Sequence, residues 1–312
     1  MWKIGIDEAG YGPNLGPFVM TAVACRVPDE LADECLWKLL KKSVRRKRKA
    51  ECPKLFIDDS KEVYSSSRGL RDLECGVLAF LQWTGQLGEL VDRVCPEHEL
   101  HGEHWFAGDL RLPCEGDAEE IRESAELFAR ISAECGVEWR LIRSEIVCPP
   151  AFNDLIERTN SKGAVLGRSY ERLVTACLEL EPKEPIQVVA DKHGGRNQYV
   201  QLLQEIFGDG WVMPREEGME LSRYEMKGYD RPIEARFMPK ADSEHFVVAV
   251  ASMVSKYLRE TLMAEFNRWW QNEVPGITPT AGYPSDASRF LADIRDAVER
   301  RGWAMEKIWR SR

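Results

Sequence analysis

Ile4-Gly5-Ile6-Asp7-Glu8-Ala9-Gly10-Tyr11-Gly12-Pro13 runs from an apolar, strand-forming segment into a glycine-rich turn, with two adjacent carboxylates at the junction. Successive strand residues point to opposite faces of a sheet, so Asp7 and Glu8 do not both belong to one apolar core. An acidic pair beside open backbone suits a divalent cation. The alternative is a strand that ends in a solvated acidic turn, and only the rest of the chain distinguishes the two.

The composition is typical of a soluble globular protein. The 312 residues are 44% hydrophobic and 30% charged, and no apolar run approaches the roughly 20 residues that span a bilayer. We expect no membrane association and, without a visible signal peptide, a cytoplasmic location. The nine scattered cysteines fit reduced thiols. The net charge of -9 argues against non-specific coating of nucleic acid but permits a local basic groove.

The chain alternates between strand-like and helical patterns. Strand patterns cover 2–7, 18–27, 137–147, 186–191, 211–227 and 231–239, and helical patterns cover 67–94, 118–135, 151–159, 163–180, 197–207 and 241–270. The short glycine- and proline-containing connection between the first two strands predicts an antiparallel hairpin. Asp117 is expected to cap the helix that follows it.

Two further carboxylates stand at the ends of predicted elements. Asp191 ends a buried strand, and Asp242 opens a long helix. Such ends converge on one rim of an α/β sheet, so Asp7, Glu8, Asp191 and Asp242 can meet there. Without a cation the four groups would repel and raise one another's pKa, and all-oxygen ligands point to Mg²⁺ or Mn²⁺. The residues alone leave open either a metal-dependent phosphoryl-transfer site or unrelated acids at caps and turns.

Six segments resemble, in order, those of the ribonuclease HII family. They are the opening stretch with Leu15-Gly16-Pro17, Asp59-Ser60-Lys61, Asn160 with the following helix, Val188-Val189-Ala190-Asp191, Lys240-Ala241-Asp242 with the helix through Lys256 and Arg259, and Gly282-Tyr283-Pro284. The resemblance implies an α/β, ribonuclease H-like fold, with a mixed five-stranded β-sheet flanked by helices.

The same resemblance suggests how the chain is organised. We expect a single ribonuclease H-like domain over 1–312, in which the segments near 1–27, 54–61, 118–208 and 238–300 resemble the family. Between these segments we predict insertions at about 28–53 and 62–116 and an extended hairpin at about 211–239.

The resemblance also implies an activity. Asp7, Glu8, Asp191 and Asp242 would be catalytic and would hold two Mg²⁺ or Mn²⁺ ions roughly 4 Å apart, one activating the attacking water and one stabilising the leaving oxygen. The implied reaction cleaves the RNA strand of RNA-DNA hybrids, or cuts at ribonucleotides embedded in duplex DNA, and leaves a 3′-hydroxyl and a 5′-phosphate. The nucleic acid is the expected partner of a monomeric enzyme.

Substrate contacts follow from the same segments. Gly10, Tyr11 and Gly12 would form the ribose-reading turn, and Tyr283 would stack on a neighbouring sugar. Lys61 and Lys256 are the expected phosphate contacts, again because they lie in family-like segments.

One departure from the family concerns the middle of the ribose-reading turn. The family usually has arginine there, and Tyr11 replaces that cation with a stacking surface. Two alternatives therefore stay open: a ribonuclease H-fold nuclease for DNA or structured junctions, and a non-catalytic nucleic-acid-binding protein of the same fold.

Two further groups of residues have competing explanations. After Asp191 comes the basic segment Lys192-His193-Gly194-Gly195-Arg196, which either supplies phosphate contacts or contains, in Lys192, a charge that balances the acids. Cys95, His98, His101 and His104 are spaced evenly by three residues; their side chains suit zinc, but the spacing fits a polar surface loop as well.

Overall fold

Seven strands join into one mixed sheet in the computed structural model, which describes residues 1–49 and 52–311. Ala50 and Glu51, in the predicted insertion 28–53, and Arg312, in the predicted domain 1–312, lie outside the described residues. The strands are β1 (Trp2–Ala9), β2 (Phe18–Arg26), β3 (Glu138–Val147), β4 (Ile186–Asp191), β5 (Trp211–Glu217), β6 (Ser222–Lys227) and β7 (Ile233–Met238).

The strand order is β3-β2-β1-β4-β7-β6-β5. β1 and β2 form the predicted antiparallel hairpin, with Ile6 opposite Ala22, and β3 continues the antiparallel pattern beyond β2. On its other side β1 pairs in parallel with β4, and β4 pairs in parallel with β7. Five neighbouring strands of the sheet, β3, β2, β1, β4 and β7, confirm the expected mixed sheet of a ribonuclease H-like fold.

The sheet has two strands more than expected. β5 and β6 continue it antiparallel beyond β7, so the segment 211–239 contributes three strands. The predicted strand 211–227 is split because the Gly218 N–H donates to the Leu221 carbonyl at 2.9 Å and reverses the chain. Residues 233–238, expected to belong to the extended hairpin, instead lie beside β4 in the centre of the sheet.

Helices cover both faces of the sheet. They are α1 (Leu36–Leu39), α2 (Ser60–Val63), α3 (Arg71–Leu81), α4 (Leu87–Val94), α5 (Ala118–Glu134), α6 (Pro149–Thr159), α7 (Gly163–Leu178), α8 (Val200–Ile206), α9 (Ala241–Glu244), α10 (Phe246–Glu273) and α11 (Pro284–Arg300). Asp117 caps α5 as predicted, since its side chain accepts from the Glu120 N–H at 2.9 Å. Through residues 1–49 and 52–311, no helix combines the length and apolar character needed to cross a membrane.

The predicted helix over 67–94 is two helices. α3 ends where Gln82 adopts the left-handed conformation, with φ of 51°, and α4 starts five residues later at Leu87. Short strand pairs connect this part of the chain: Val44–Arg45 with Leu55–Phe56, and Gly85–Gln86 with Arg111–Leu112.

Close packing of α10 on β1 brings the start of that helix to the predicted catalytic rim. Alternate β1 residues face opposite layers, with Trp2, Ile4 and Ile6 in the core cluster shared with α7 and α8. Gly5 faces α10, and a Cβ at this position would lie 2.2 Å from the carbonyl carbon of Val247. Only glycine permits this approach, which places α9 and its Asp242 next to the end of β1.

Candidate active site

Asp7 and Asp191 lie side by side at the ends of two parallel strands. The register pairs Ile6 of β1 with Ala190 of β4, and each acid is the next residue along its strand. The Asp7 backbone is held from α10, because the Ser255 hydroxyl donates to the Asp7 carbonyl at 3.0 Å and lies 2.8 Å from the Thr21 hydroxyl of β2. The neighbouring position of the two acids is thus set by the sheet.

Asp242 reaches the same rim from a helix. The chain leaves β7 through Lys240, whose φ of 57° is left-handed, and turns into α9. The Ala241 N–H donates to Oδ1 of Asp191 at 3.4 Å. Asp7 and Asp242 are both buried, with exposed fractions of 8% and 7%. The structure therefore brings together the four acids that the sequence nominated, with Glu8 next to Asp7 on β1.

Three of the acids have raised pKa values, first because of burial and then because of neighbouring charge. Burial raises the pKa of Asp7, Glu8 and Asp242, most strongly for Asp7. The charge of Glu8 adds to the rise at Asp7, and the charge of Asp191 adds to the rise at Glu8, whose pKa reaches about 7. The pKa of Asp242 reaches about 6. Several carboxylates here are therefore held close in a poorly solvated place without enough positive charge to balance them.

A fifth acid, Asp59, lies beside Asp242. After burial, Asp59 makes the largest contribution to the raised pKa of Asp242, through its charge and a hydrogen bond between the two side chains. Asp59 also caps α2, because its Oδ1 accepts from the Lys61 N–H at 2.9 Å. Sequence reasoning singled out Lys61 in the Asp59-Ser60-Lys61 segment and missed the acid, although the same motif contained the signal.

The donor set suits hard divalent cations, since every candidate ligand is a carboxylate oxygen. Among the described residues, however, only Asp92, His98 and His101 place three ligand atoms within 4.8 Å of one another. Among the described residues, the rim acids do not form such a group of three. Pairs of these acids, completed by water or substrate oxygens, are the sets that would hold a cation.

A cleft of about 460 Å³ opens beside the acids, and most of the predicted substrate contacts line it. Its walls include Glu8, Gly10, Lys61, Lys256 and Tyr283. The Lys256 ammonium lies 2.9 Å from Glu260, one turn further along α10, and Tyr64 donates to the other oxygen of Glu260 at 2.9 Å. Tyr64 and Glu260 are cleft residues that the sequence did not indicate.

Tyr11 and Gly12 have different surroundings from Gly10. Tyr11 lines a second cleft, of about 620 Å³, with Arg168, His193 and Arg196. Its ring packs edge-on against Phe18, and the Lys162 ammonium lies 4.7 Å from the ring centre. A Cβ at Gly12 would meet nothing within 4 Å. The turn thus separates the two clefts, with a cation placed over the aromatic ring.

Lys192 serves neither of the two roles considered for it. Its ammonium donates to Oδ1 of Asn197 at 2.7 Å, to Oγ of Ser222 at 3.2 Å and to the Gly218 carbonyl. These bonds attach the residue after Asp191 to the β5–β6 hairpin. Lys192 follows a strand residue, so its side chain leaves the sheet on the face opposite to Asp191.

The histidine-rich segment does not converge as one four-ligand site. His104 stacks on Trp303 with 4.5 Å between ring centres, whereas His98 lies 4.8 Å from His101. Nδ1 of His98 accepts from the Leu100 N–H at 3.2 Å. Nε2 therefore carries the hydrogen that is shared with Asp92 at 2.8 Å. In this arrangement the Leu100 N–H occupies the lone pair of Nδ1, and the hydrogen on Nε2 takes the position where zinc would bind.

Comparison with solved structures gives distant matches. The ribonuclease HII of Archaeoglobus fulgidus, solved in a complex with PCNA, is 19% identical and aligns over 100% of this chain and 95% of its own, with a TM-score of 0.47. The ribonuclease H2 of Pyrococcus horikoshii OT3 is 15% identical over 99% and 92%, with a TM-score of 0.46. Bst-RNase HIII in complex with Mn²⁺ is 17% identical over 99% and 66%, with a TM-score of 0.43.

These similar structures are ribonucleases HII and HIII. No protein-family model matches the chain, and no curated protein does.

Proposed function

We propose that this protein is a divalent-metal-dependent endonuclease of the ribonuclease H type, which hydrolyses the RNA strand of RNA-DNA hybrids or cuts at ribonucleotides embedded in duplex DNA. The observation that carries the proposal is the meeting of Asp7, Glu8, Asp191 and Asp242 at one rim of the sheet. Such a cluster of buried acids is unfavourable by itself and becomes useful when cations and a phosphodiester occupy it.

The roles of the residues follow from their positions. Bound Mg²⁺ or Mn²⁺ would supply an activated water and neutralise charge that develops on the phosphate. Asp7 and Asp191 would be the most rigid cation ligands, because neighbouring strands fix them. Asp242 and Glu8 would complete the set, and Asp59 beside Asp242 would add further negative charge for the cations to balance.

The two clefts supply the substrate contacts in this proposal. Lys61 and Lys256 would bind phosphate oxygens beside Glu8. Tyr283, which is 43% exposed, would pack against a sugar. At the border of the clefts, the small residues of the Gly10-Tyr11-Gly12 turn would let its backbone approach a ribose hydroxyl.

A second candidate keeps the chemistry and changes the substrate to DNA or structured junctions. It is favoured by Tyr11, which places a ring and the Lys162 ammonium where the family has arginine. A non-catalytic nucleic-acid-binding protein is a weaker alternative, because carboxylates facing phosphate weaken binding unless cations intervene.

A cleavage assay separates these candidates. Purified protein is incubated with end-labelled RNA-DNA hybrid, DNA duplex containing one ribonucleotide, and all-DNA duplex, each in Mg²⁺ or Mn²⁺. We expect cuts only in the substrates that contain RNA, and loss of cutting in Asp7→Asn. Glu126→Gln is the matched control, because it removes an exposed carboxylate of α5 that pairs with Arg122.

Each other outcome decides against the proposal. Equal cleavage of hybrid and all-DNA duplexes would favour the second candidate. Tight hybrid binding without cleavage in either metal would favour the binding protein. An Asp7→Asn variant that cuts as fast as the wild type would refute the assignment of the acids.

A further inference from the structure

A strongly basic stretch lies in the predicted insertion 28–53, outside the segments that resemble the family. From Lys38 to Lys49, eight of twelve residues are lysine or arginine and none is acidic, in a chain whose net charge is -9. We call these residues the insertion's basic stretch. Seven of the eight cations are exposed, and Arg45 is half-buried. Like charges at this density repel one another, so an external anion would stabilise the stretch.

Most of these charges are not neutralised within the described structure. Arg46 pairs with Asp58, and Arg48 pairs with Asp72 at 2.7 Å. In residues 1–49 and 52–311, no carboxylate forms an ion pair with the five lysines, which are Lys38, Lys41, Lys42, Lys47 and Lys49. Elsewhere on the surface, Arg122 of α5 pairs with two glutamates of its own helix.

The backbone of the basic stretch is anchored to the core. The Ser43 carbonyl accepts from the Leu55 N–H at 2.9 Å, and the Arg45 carbonyl accepts from the Ile57 N–H at 3.0 Å. These bonds join two short strands in parallel. The buried Trp37 also donates through Nε1 to the Ile57 carbonyl at 2.9 Å. The cations therefore project from a folded support.

The basic stretch reaches the rim that carries the acids. Arg46 donates through Nε to Asp58 at 3.2 Å and through Nη2 to the Ser243 carbonyl at 2.9 Å. Asp58 directly precedes Asp59, and Ser243 directly follows Asp242. A single side chain of the stretch thus contacts both of the segments that carry these two acids.

The two clefts at the rim have no excess of positive charge. Each is lined by two acids and two basic residues: Glu8 and Glu260 with Lys61 and Lys256 in the cleft beside the acids, and Glu171 and Glu205 with Arg168 and Arg196 in the cleft beside Tyr11. His193 in the second cleft is uncharged near pH 7, because burial lowers its pKa to about 4. The cations that attract a polyanion to this rim must therefore lie outside the clefts.

We propose that the insertion's basic stretch, through Lys47 and Lys49, binds the phosphate backbone of the duplex arm that leaves the active site past α9. These lysines follow Arg46, the residue that contacts the rim, by one and three positions. Their spacing lets them reach neighbouring phosphates of one strand. The inference rests on the proposed function and deepens it, because it assigns duplex binding to a part of the chain outside the two clefts.

Binding to duplexes with arms of different length tests this surface. In an Asp7→Asn background, which prevents cleavage, the Kd of fluorescein-labelled DNA duplexes with one embedded ribonucleotide is measured by anisotropy between about 50 and 200 mM NaCl. The ribonucleotide fixes the register. Each arm is lengthened separately from about 5 to about 15 base pairs, which adds roughly 34 Å. We expect the parent protein to gain affinity when one of the two arms is lengthened.

The double variant Lys47→Gln/Lys49→Gln should lose that gain. Loss of two phosphate contacts should raise the Kd for the long-armed duplex about tenfold or more at about 0.1 M salt, and should reduce the slope of log Kd against log salt concentration by about 2. With both arms short, the variant should bind like its parent. Lys47→Arg/Lys49→Arg keeps both charges and should bind every duplex like its parent.

Arg295→Gln/Arg300→Gln is the matched control, since it also removes two exposed cations. Within 1–49 and 52–311 neither arginine forms an ion pair, and they follow Pro284, the first residue of α11, by 11 and 16 positions, roughly 17 and 24 Å along the helix. We expect the control to keep the parent Kd and salt slope. An equal loss in both double variants, a gain that persists in Lys47→Gln/Lys49→Gln, or a parent that gains from neither arm overturns the inference.

An anionic membrane is the other polyanion that such a stretch would attract. It is tested by sedimentation with phosphatidylserine-containing vesicles. Sedimentation that depends on Lys47 and Lys49, with no effect of these lysines on duplex binding, would assign the stretch to a membrane and overturn the inference.

The inference and the proposed function can fail separately. A wild type that cuts no substrate, but binds a long all-DNA duplex through Lys47 and Lys49, would refute the nuclease and keep the binding surface. A wild type that cuts as proposed, with long-arm binding unchanged in Lys47→Gln/Lys49→Gln, would keep the nuclease and refute the surface.

Discussion

The two ends of the β1–β4 strand pair handle charge in opposite ways. At the start of the strands, the Met1 ammonium lies 2.8 Å from Asp29 and 3.2 Å from Glu184. Arg26 donates to the same Glu184 at 2.9 Å and to Glu138 at 3.1 Å. Mainly through Arg26, the pKa of Glu184 falls to about 2. Opposite charges are paired within the chain at this end.

At the other end, like charges are gathered. Asp7, Glu8 and Asp242 have raised pKa values because they are buried beside further acids. Beside Gly10, Arg259 and Arg310 are buried with side-chain nitrogens that have no hydrogen-bond partner in residues 1–49 and 52–311. In the part of the chain that the structure describes, no ion pair joins these arginines to Asp7, Glu8, Asp191 or Asp242.

The contrast supports the proposal that the end with the acids is the functional one. Charges that are paired inside the protein stabilise it modestly and have no need of a ligand. Charges that are buried without partners lower stability, and such sites cluster where ligands bind. In the proposed function, divalent cations that accompany a phosphodiester would balance the acids.

The largest expected effect is the loss of cleavage in Asp191→Asn. The substitution keeps the shape of the side chain but removes a cation ligand at the end of β4. We expect the rate of hybrid cleavage to fall by about 10³-fold or more, with an unchanged circular dichroism spectrum. Glu126→Gln should retain the wild-type rate. Comparable rates for Asp191→Asn and the control would remove the functional distinction between the two strand ends.

Cation binding should stabilise the acidic end measurably. At a Mg²⁺ concentration of 100 Kd the free energy of unfolding should rise by about 2.7 kcal/mol, which corresponds to a rise in Tm of about 2–4 °C per kcal/mol. The rise should be smaller in Asp242→Asn, and EDTA should reverse it. An equal rise in both proteins, measured by calorimetry, would show that Mg²⁺ binds elsewhere.

Local sequence patterns predicted much of the rim. The apolar run before Asp7 and the buried strand before Asp191 located both acids at strand ends, because strand periodicity is a local property. The number of strands was missed, since alternation identifies a strand but not its neighbours. The pairing of β7 with β4 depends on the rest of the sheet.

Two contacts between distant segments were not predicted. Asp59 meets Asp242 across 183 positions of sequence, and Arg310 meets Gly10 across 300. Neither residue has a local pattern that reveals its partner. Lys192 shows the opposite error, because its proximity to Asp191 in sequence suggested a shared role, whereas strand alternation sends its side chain to the β5–β6 hairpin.

Tyr11, between the two buried charge groups, should have an intermediate effect. Removal of its ring in Tyr11→Ala eliminates a stacking surface and the contact with the Lys162 ammonium at 4.7 Å. We expect the Kd for hybrid, measured in the Asp7→Asn background, to rise about 3- to 10-fold. Tyr11→Phe keeps the ring and should bind like its parent. An equal loss in both variants would assign the effect to the hydroxyl group.

The smallest effect belongs to the paired end, and it depends on pH. The pKa of Glu184 is about 2 in the folded protein, below the ordinary value of 4.5, so ionised Glu184 favours the folded state. Its contribution is complete above pH 4.5 and disappears as the pH falls through about 2. At pH 7, Glu184→Gln should therefore lower the free energy of unfolding by about 1 kcal/mol or less.

The difference in Tm between Glu184→Gln and the wild type should shrink steadily as the pH falls from about 4.5 towards 2, because protonation abolishes the ion pair in the wild type too. Glu181→Gln is the matched control, since Glu181 is 63% exposed and its nearest cation, Lys183, lies 3.5 Å away. Hybrid cleavage at pH 7 should be the same in all three proteins. A fall in cleavage in Glu184→Gln alone would mean that charge at the paired end influences the site, and the separation of the two strand ends would then be wrong.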